Sequence, residues 1–162
     1  MKKVLLGLGL VCLVSMAQAK DIRDGFTVMT GVNTFNTAMG DNSTGYLVGG
    51  NYKKYVGENV FIQPSIQYVK SGNQWDDKQV LGLLGVGYTY NLKNGMTVSP
   101  KVGVGFHKTI VSGINVGLKS SYLVGVELGV SKNWTVALEH NYLAGGNGKH
   151  IDVSALTLGY KF

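Results

Sequence analysis

The chain has 162 residues, a formal net charge of +6, 24 glycines, two prolines and one cysteine. A lone cysteine excludes a disulfide framework, and lysines scattered along the chain, not gathered in a patch, argue against nucleic-acid binding. So many glycines with so few prolines fit a strand-rich fold, because they sit inside alternating segments rather than in low-complexity tracts.

The first residues read as a targeting segment. Lys2 and Lys3 precede an apolar run from Val4 to Val14, and Ala17-Gln18-Ala19 places small residues where a signal peptidase cuts. Cleavage is expected before Lys20, which leaves residues 20–162 as one domain. The apolar run is too short to span a bilayer as a helix, which takes about 20 residues. Cys12 lies in this segment, after Gly9-Leu10-Val11, a poor lipoprotein signal. The mature chain therefore carries no thiol, as suits an exported bacterial protein.

Beyond residue 20, apolar residues recur at period two and nowhere at helical spacing. In chain order the predicted strands are Phe26–Phe35, Gly45–Val56, Val60–Lys70, Gln79–Leu92, Met96–Ile110, Ser121–Val130, Trp134–Ala144 and Ile151–Phe162. Three connections are short, at Gly57-Glu58-Asn59, Lys93-Asn94-Gly95 and Ser131-Lys132-Asn133, and they alternate with four longer ones. That alternation is expected of an all-β, antiparallel up-and-down transmembrane barrel, with short periplasmic turns, longer extracellular loops and both termini periplasmic.

Side-chain parity supports the register. One face carries Val60, Ile62, Val86, Tyr88, Val102, Val104, Val124, Val126, Val136, Leu138, Leu156 and Leu158. The other carries Gln63, Gln67, Gly85, Gly87, Lys101, Gly103, Gly125, Glu127, Glu139 and Asn141. Odd-length turns place Val56 against Val60, Leu92 against Met96 and Val130 against Trp134, so the faces stay in phase. An eight-stranded barrel has room inside only for side chains, so the small and polar face should turn inward and the bulky one toward lipid. A lipocalin-like soluble barrel would invert this. Pro64 and Pro100 fall within strands, where each should produce a bulge or a local break in pairing. Lys54 and Lys70 fall on the lipid face near strand ends, within reach of headgroups or water.

Aromatic residues mark two expected girdles: Tyr46, Tyr68, Tyr122 and Tyr142 at the loop ends, and Tyr90, Trp134 and Tyr160 with Phe162 at the turn ends. Trp134 and Tyr142 should differ in height by roughly 20 Å on a tilted strand, close to the lipid band. The last strand closes Leu158-Gly159-Tyr160-Lys161-Phe162, and with its terminal Phe it resembles the assembly signal of outer-membrane proteins. With eight strands the mature chain resembles the small barrels of the OmpA-transmembrane, OmpX and opacity-protein kind. The resemblance implies a place in the cell outer membrane, with lipid, lipopolysaccharide and the barrel-assembly machinery as partners. It does not imply an activity.

Three constellations carry chemistry. Lys53, Lys101, Glu127 and Glu139 point inward on the same half of the barrel. They suit either a proton or ion path or a salt-bridged plug, and the narrow interior favours the plug. His140-Asn141-Tyr142 on strand seven and Asp152 on strand eight resemble the site of lipid A deacylases, which carry His-x-Ser on strand seven and a carboxylate at the start of strand eight. The resemblance implies His140 as base and Asp152 as the acid that orients it, but Tyr142 stands in the serine's place. The competing reading is an interfacial histidine beside a girdle tyrosine. In the second loop, Trp75 offers a contact for a surface ligand, and Asp76 with Asp77 too few oxygens for calcium. His107 reads as a hydrogen-bonded interior residue, and Gly103-Val104-Gly105 lacks the helix that a dinucleotide site needs. No metal or cofactor is expected. The leading expectation is a non-enzymatic outer-membrane protein with a structural or surface-interaction role. The alternatives are a deacylase-like lipid hydrolase and a narrow, low-conductance pore.

Overall fold

Residues 24–37, 42–72, 78–111, 114–115, 117–145 and 150–162 are described by a computed structural model. The expected signal segment and its cleavage point lie outside them, as does the loop segment holding Trp75, Asp76 and Asp77. The strands are β1 (Gly25–Thr37), β2 (Asn42–Tyr55), β3 (Val60–Ser71), β4 (Lys78–Tyr88, resuming at Tyr90–Asn91), β5 (Thr97–Val111), β6 (Lys119–Gly129), β7 (Trp134–Ala144) and β8 (His150–Lys161). A short segment, Ile114–Asn115, folds back on the end of β5. Each strand pairs antiparallel with the next, and β1 pairs with β8 from Thr27↔Lys161 to Thr37↔Ile151, which closes the sheet into an eight-stranded barrel.

The three short hairpins form where alternation places them. Val56 N–H donates to Val60 C=O at 2.9 Å, Leu92 N–H to Met96 C=O at 2.8 Å, and Val130 N–H to Trp134 C=O at 3.0 Å. Each leaves a three-residue turn, and in the second Gly95 takes φ +80°, the left-handed conformation such turns require. Because each turn is odd in length, inward residues of one strand stay beside inward residues of the next.

Both prolines break pairing without shifting register. β2 and β3 pair at Asn51↔Ser65 and again at Lys54↔Ile62, with a gap at Pro64. β4 and β5 pair at Gly87↔Lys101 and again at Tyr90↔Val98, with a gap at Pro100. That register sets Pro100 against Tyr88; β4 is interrupted at the next residue, Thr89, whose N–H continues the ladder to β3 by donating to Asn59 C=O at 2.8 Å. A proline has no N–H for the ladder, so the pairing lapses locally and resumes in phase.

Burial follows the expected parity. Lys101, Glu127, Glu139, Gln63 and Gln67 are buried inside, while Val86, Val102, Val104, Val124, Leu138, Leu156 and Leu158 are exposed on the outer wall. That wall would be unstable in water and is stable against lipid. The interior differs from a uniformly small and polar filling. Phe35, Leu47, Val69, Leu81, Leu123, Leu143 and Val153 are buried there as an apolar cluster in the half nearer the loops. Long charged chains occupy the other half. Inward glycines leave space for them: a Cβ on Gly87 would clash with the Phe61 ring, and one on Gly125 would stand 3.2 Å from Glu139 Cγ.

Candidate functional site

The four interior charges meet across the lumen. Lys53 Nζ lies 2.6 Å from Glu127 Oε1, and Lys101 Nζ lies 2.6 Å from Glu139 Oε1 and 3.8 Å from Glu127 Oε2. Lys101 also donates to Gln63 Oε1 at 3.0 Å, and Gln67 Nε2 donates to Glu139 Oε2 at 2.9 Å. Gln63 Nε2 donates to Asn51 Oδ1 at 2.9 Å, and the Lys53 ammonium sits 4.3 Å from the centre of the Phe61 ring. Two lysines balance two glutamates, so the cluster is neutral as a unit. Each charge is hydrogen-bonded, the condition under which a buried charge is tolerable. Below the network, toward the short turns, a cavity of about 270 Å³ opens beside Lys53, Tyr55, Glu127 and Lys132.

The aromatic residues form two outward rings. Tyr46 and Tyr68 lie 6.4 Å apart between ring centres, and Tyr122 faces Tyr142 across the β6–β7 ladder at 6.3 Å. At the turn end Trp134 faces Tyr160 edge-on at 5.0 Å, Tyr160 meets Phe162 at 5.0 Å, and Tyr90 packs on Tyr88 at 4.7 Å. Amphipathic rings at two heights are what a membrane-water boundary selects.

A polar cluster interrupts the apolar outer wall on β7 and β8. His140 pairs with Ser154 across the ladder, and Tyr142 pairs with Asp152. His140 Nδ1 lies 3.0 Å from Ser154 Oγ, and His140 Nε2 lies 3.7 Å from Asp152 Oδ1. His150 Nε2 approaches Asp152 Oδ2 at 3.6 Å, and its ring stacks on Tyr142 at 4.9 Å with the planes 22° apart. His140, Tyr142 and Asp152 are thus neighbours. Tyr142 is engaged with His150 and Tyr122, and the hydroxyl beside His140 belongs to Ser154. Sequence reading missed this serine because it sought one on strand seven. The available signal was parity, since Ser154 and Asp152 are two residues apart and share the outward face. Next to Ser154 an open groove of about 500 Å³ is lined by Val32, Thr34, Thr44, Leu138 and Leu156.

The family model described as outer membrane protein beta-barrel domain matches residues 4–162. The chain belongs to that family. This outer-membrane barrel is similar in fold to Neisserial surface protein A, with 12% identity, a TM-score of 0.69, and coverage of 86% of this chain and 97% of that one. It is similar to the outer membrane enzyme PagL, with 11% identity, a TM-score of 0.58, and coverage of 82% and 97%. It also resembles Ail, the attachment invasion locus protein of Yersinia pestis, with 14% identity, a TM-score of 0.51, and coverage of 86% and 99%. No curated protein sequence matches it. At these identities the likeness shows fold alone.

The remaining residues of the barrel divide between interior and rim. His107 is buried, with Nδ1 3.0 Å from Ser121 Oγ. Lys54 is exposed on the outer wall near the turn end of β2. At the loop end Lys70 and Lys78 face each other across β3 and β4, and Lys108 shares their outward face on β5. Lys78 and Lys108 were missed by sequence reading, although both alternate with inward Gln79, His107 and Thr109. Their signal is the same parity that placed Lys70 outside.

Proposed function

We propose that the protein is a plugged, non-conducting barrel that serves as a structural and surface-presenting element of the outer membrane. In this reading the exported chain has lost its signal segment, the short turns face the periplasm and the long connections face outward. The Tyr160–Phe162 end of β8 serves the assembly machinery. The observation that carries the reading is the Lys53–Glu127–Lys101–Glu139 network, which spans the lumen with 2.6 Å contacts at both of its ends. The apolar cluster around Leu47, Leu81 and Leu143 seals the half above it. An ion crossing the barrel would have to disrupt both layers. The outward lysines 70, 78 and 108 supply cations at the loop end, where phosphate-bearing lipid headgroups lie, each contributing about 1 kcal/mol near such a surface.

The reading is tested in planar bilayers with the purified, folded chain. Wild type and Glu127→Gln should show the same background conductance, while Glu127→Gln lowers thermal stability. Discrete channel openings in the wild type, altered by Glu127→Gln, would overturn the plug in favour of the pore.

A further inference from the structure

We infer that Ser154, His140 and Asp152 form a nucleophile, base and orienting acid on the lipid-facing wall, and that they cleave the acyl ester bond of a membrane lipid. This activity goes beyond a scaffold role and rests on the barrel's embedding in a bilayer, but not on the interior plug.

Strand geometry holds the three groups together. Side chains two apart on a strand share a face, so Ser154 and Asp152 project outward together from β8. The ladder places His140 opposite Ser154, which brings Nδ1 to 3.0 Å from Oγ. Asp152 approaches the other ring nitrogen at 3.7 Å, an ion-pair contact longer than a hydrogen bond, as catalytic contacts often are before substrate binds. With its proton on Nε2 toward Asp152, the ring presents Nδ1 as the acceptor for the serine proton. The two nitrogens exchange the roles they hold in the familiar serine hydrolases, and a triad is defined by geometry and roles rather than by residue order. His150 is a positioning residue: it stacks on Tyr142 and approaches the second oxygen of Asp152 at 3.6 Å.

Location selects the substrate. His140 and Ser154 sit two residues below the girdle level of Tyr142, about 5 Å deeper at the usual strand tilt. Lipid esters lie at that junction of headgroup and chain. The groove beside Ser154 runs from Leu138 on β7 past Leu156 to Val32 on β1 and Thr44 on β2, an apolar-floored channel suited to an acyl chain. Thr34, opposite Ser154 on β1, places a hydroxyl on the serine's far side. Of these groups His140 and Ser154 lie below the girdle, where a polar pair on the lipid-facing wall is costly unless it acts on something at that depth.

In the first step the Ser154 proton passes to His140 Nδ1 while Oγ bonds to the ester carbonyl carbon. The ester C–O bond breaks, and the alcohol leaves with the proton from His140. Water then gives a proton to His140 and attacks the acyl-serine, releasing a fatty acid and restoring Ser154. The net reaction is ester plus water to acid plus alcohol.

The test reconstitutes the full folded chain in two kinds of vesicle: diacyl phosphatidylethanolamine alone, and the same lipid containing lipopolysaccharide. Released fatty acid is measured by mass spectrometry. Release is expected in at least one arm, and which fatty acid appears identifies the ester source. Ser154→Ala and His140→Ala should each reduce release by at least about 100-fold. Both should keep the heat-dependent gel mobility of a folded barrel, with Ser154→Val and His140→Gln as substitutes if either fails to fold. A serine-directed fluorophosphonate should add one label at Ser154 and none to Ser154→Ala. No release in either arm, or release that survives loss of Ser154, would overturn the inference and leave the plug reading untouched.

Discussion

Gly125 lies directly opposite Glu139 across the β6–β7 ladder, and the absent side chain leaves the space through which Glu139 reaches Lys101 at 2.6 Å. A Cβ at Gly125 would stand 2.9 Å from Leu138 O and 3.2 Å from Glu139 Cγ. Gly125→Val should therefore displace the carboxylate and lower stability by about 1–3 kcal/mol. Urea unfolding in lipid vesicles measures this, and an unchanged midpoint would show that the glycine is not a spacer.

Lys101 is the shared cation of the network. Lys101→Met leaves Glu139 buried beside Gln67 without its cation, at a cost of about 3–5 kcal/mol. Adding Glu139→Leu should recover most of that loss, because a neutral pair replaces an isolated charge. A double variant no more stable than the single one would mean that the network acts through packing instead.

Trp134 and Tyr160 meet edge-on at the turn-end girdle. A double-mutant cycle to Ala should return a coupling of about 0.5–1.5 kcal/mol. Additive losses would show that each ring interacts with lipid alone.

Gly95 holds φ +80°, and a Cβ added to it would meet nothing within 4 Å, so only backbone strain opposes a side chain there. Gly95→Ala should cost about 1–2 kcal/mol and slow hairpin closure, whereas Gly95→Asn should be milder. Refolding kinetics into detergent micelles distinguish the two.

Replacing Lys70, Lys78 and Lys108 together with Gln should weaken retention of anionic lipid and flatten its salt dependence. The barrel fold itself should persist. Co-purified lipid measured at two salt concentrations reads this out, and equal retention would remove these lysines from the lipid contact.

Much of the architecture was legible before closure. Period-two alternation located all eight strands, although β1 continues to Thr37 and β2 begins at Asn42, beyond the apolar residues that marked their expected ends. Pro64 and Pro100 announced their gaps, because a missing N–H is a property of the residue itself. The apolar interior near the loops was less legible. Leu47, Leu81 and Leu143 read as ordinary apolar positions until parity and burial together placed them inside.

The sequence by itself determined which face of each strand turns inward, where the three tight hairpins close and where the aromatic rings lie. These follow from the alternating pleat, the odd turns and the affinity of Tyr and Trp for an interface, all local properties of the chain. Tertiary structure alone decided the partnerships. Lys53 reaches Glu127, 74 residues away, only because the sheet closes. The stagger between β7 and β8 sets Ser154, rather than Tyr142, against the His140 ring nitrogen. Contacts across a lumen or a ladder depend on closure and register, which no single strand encodes.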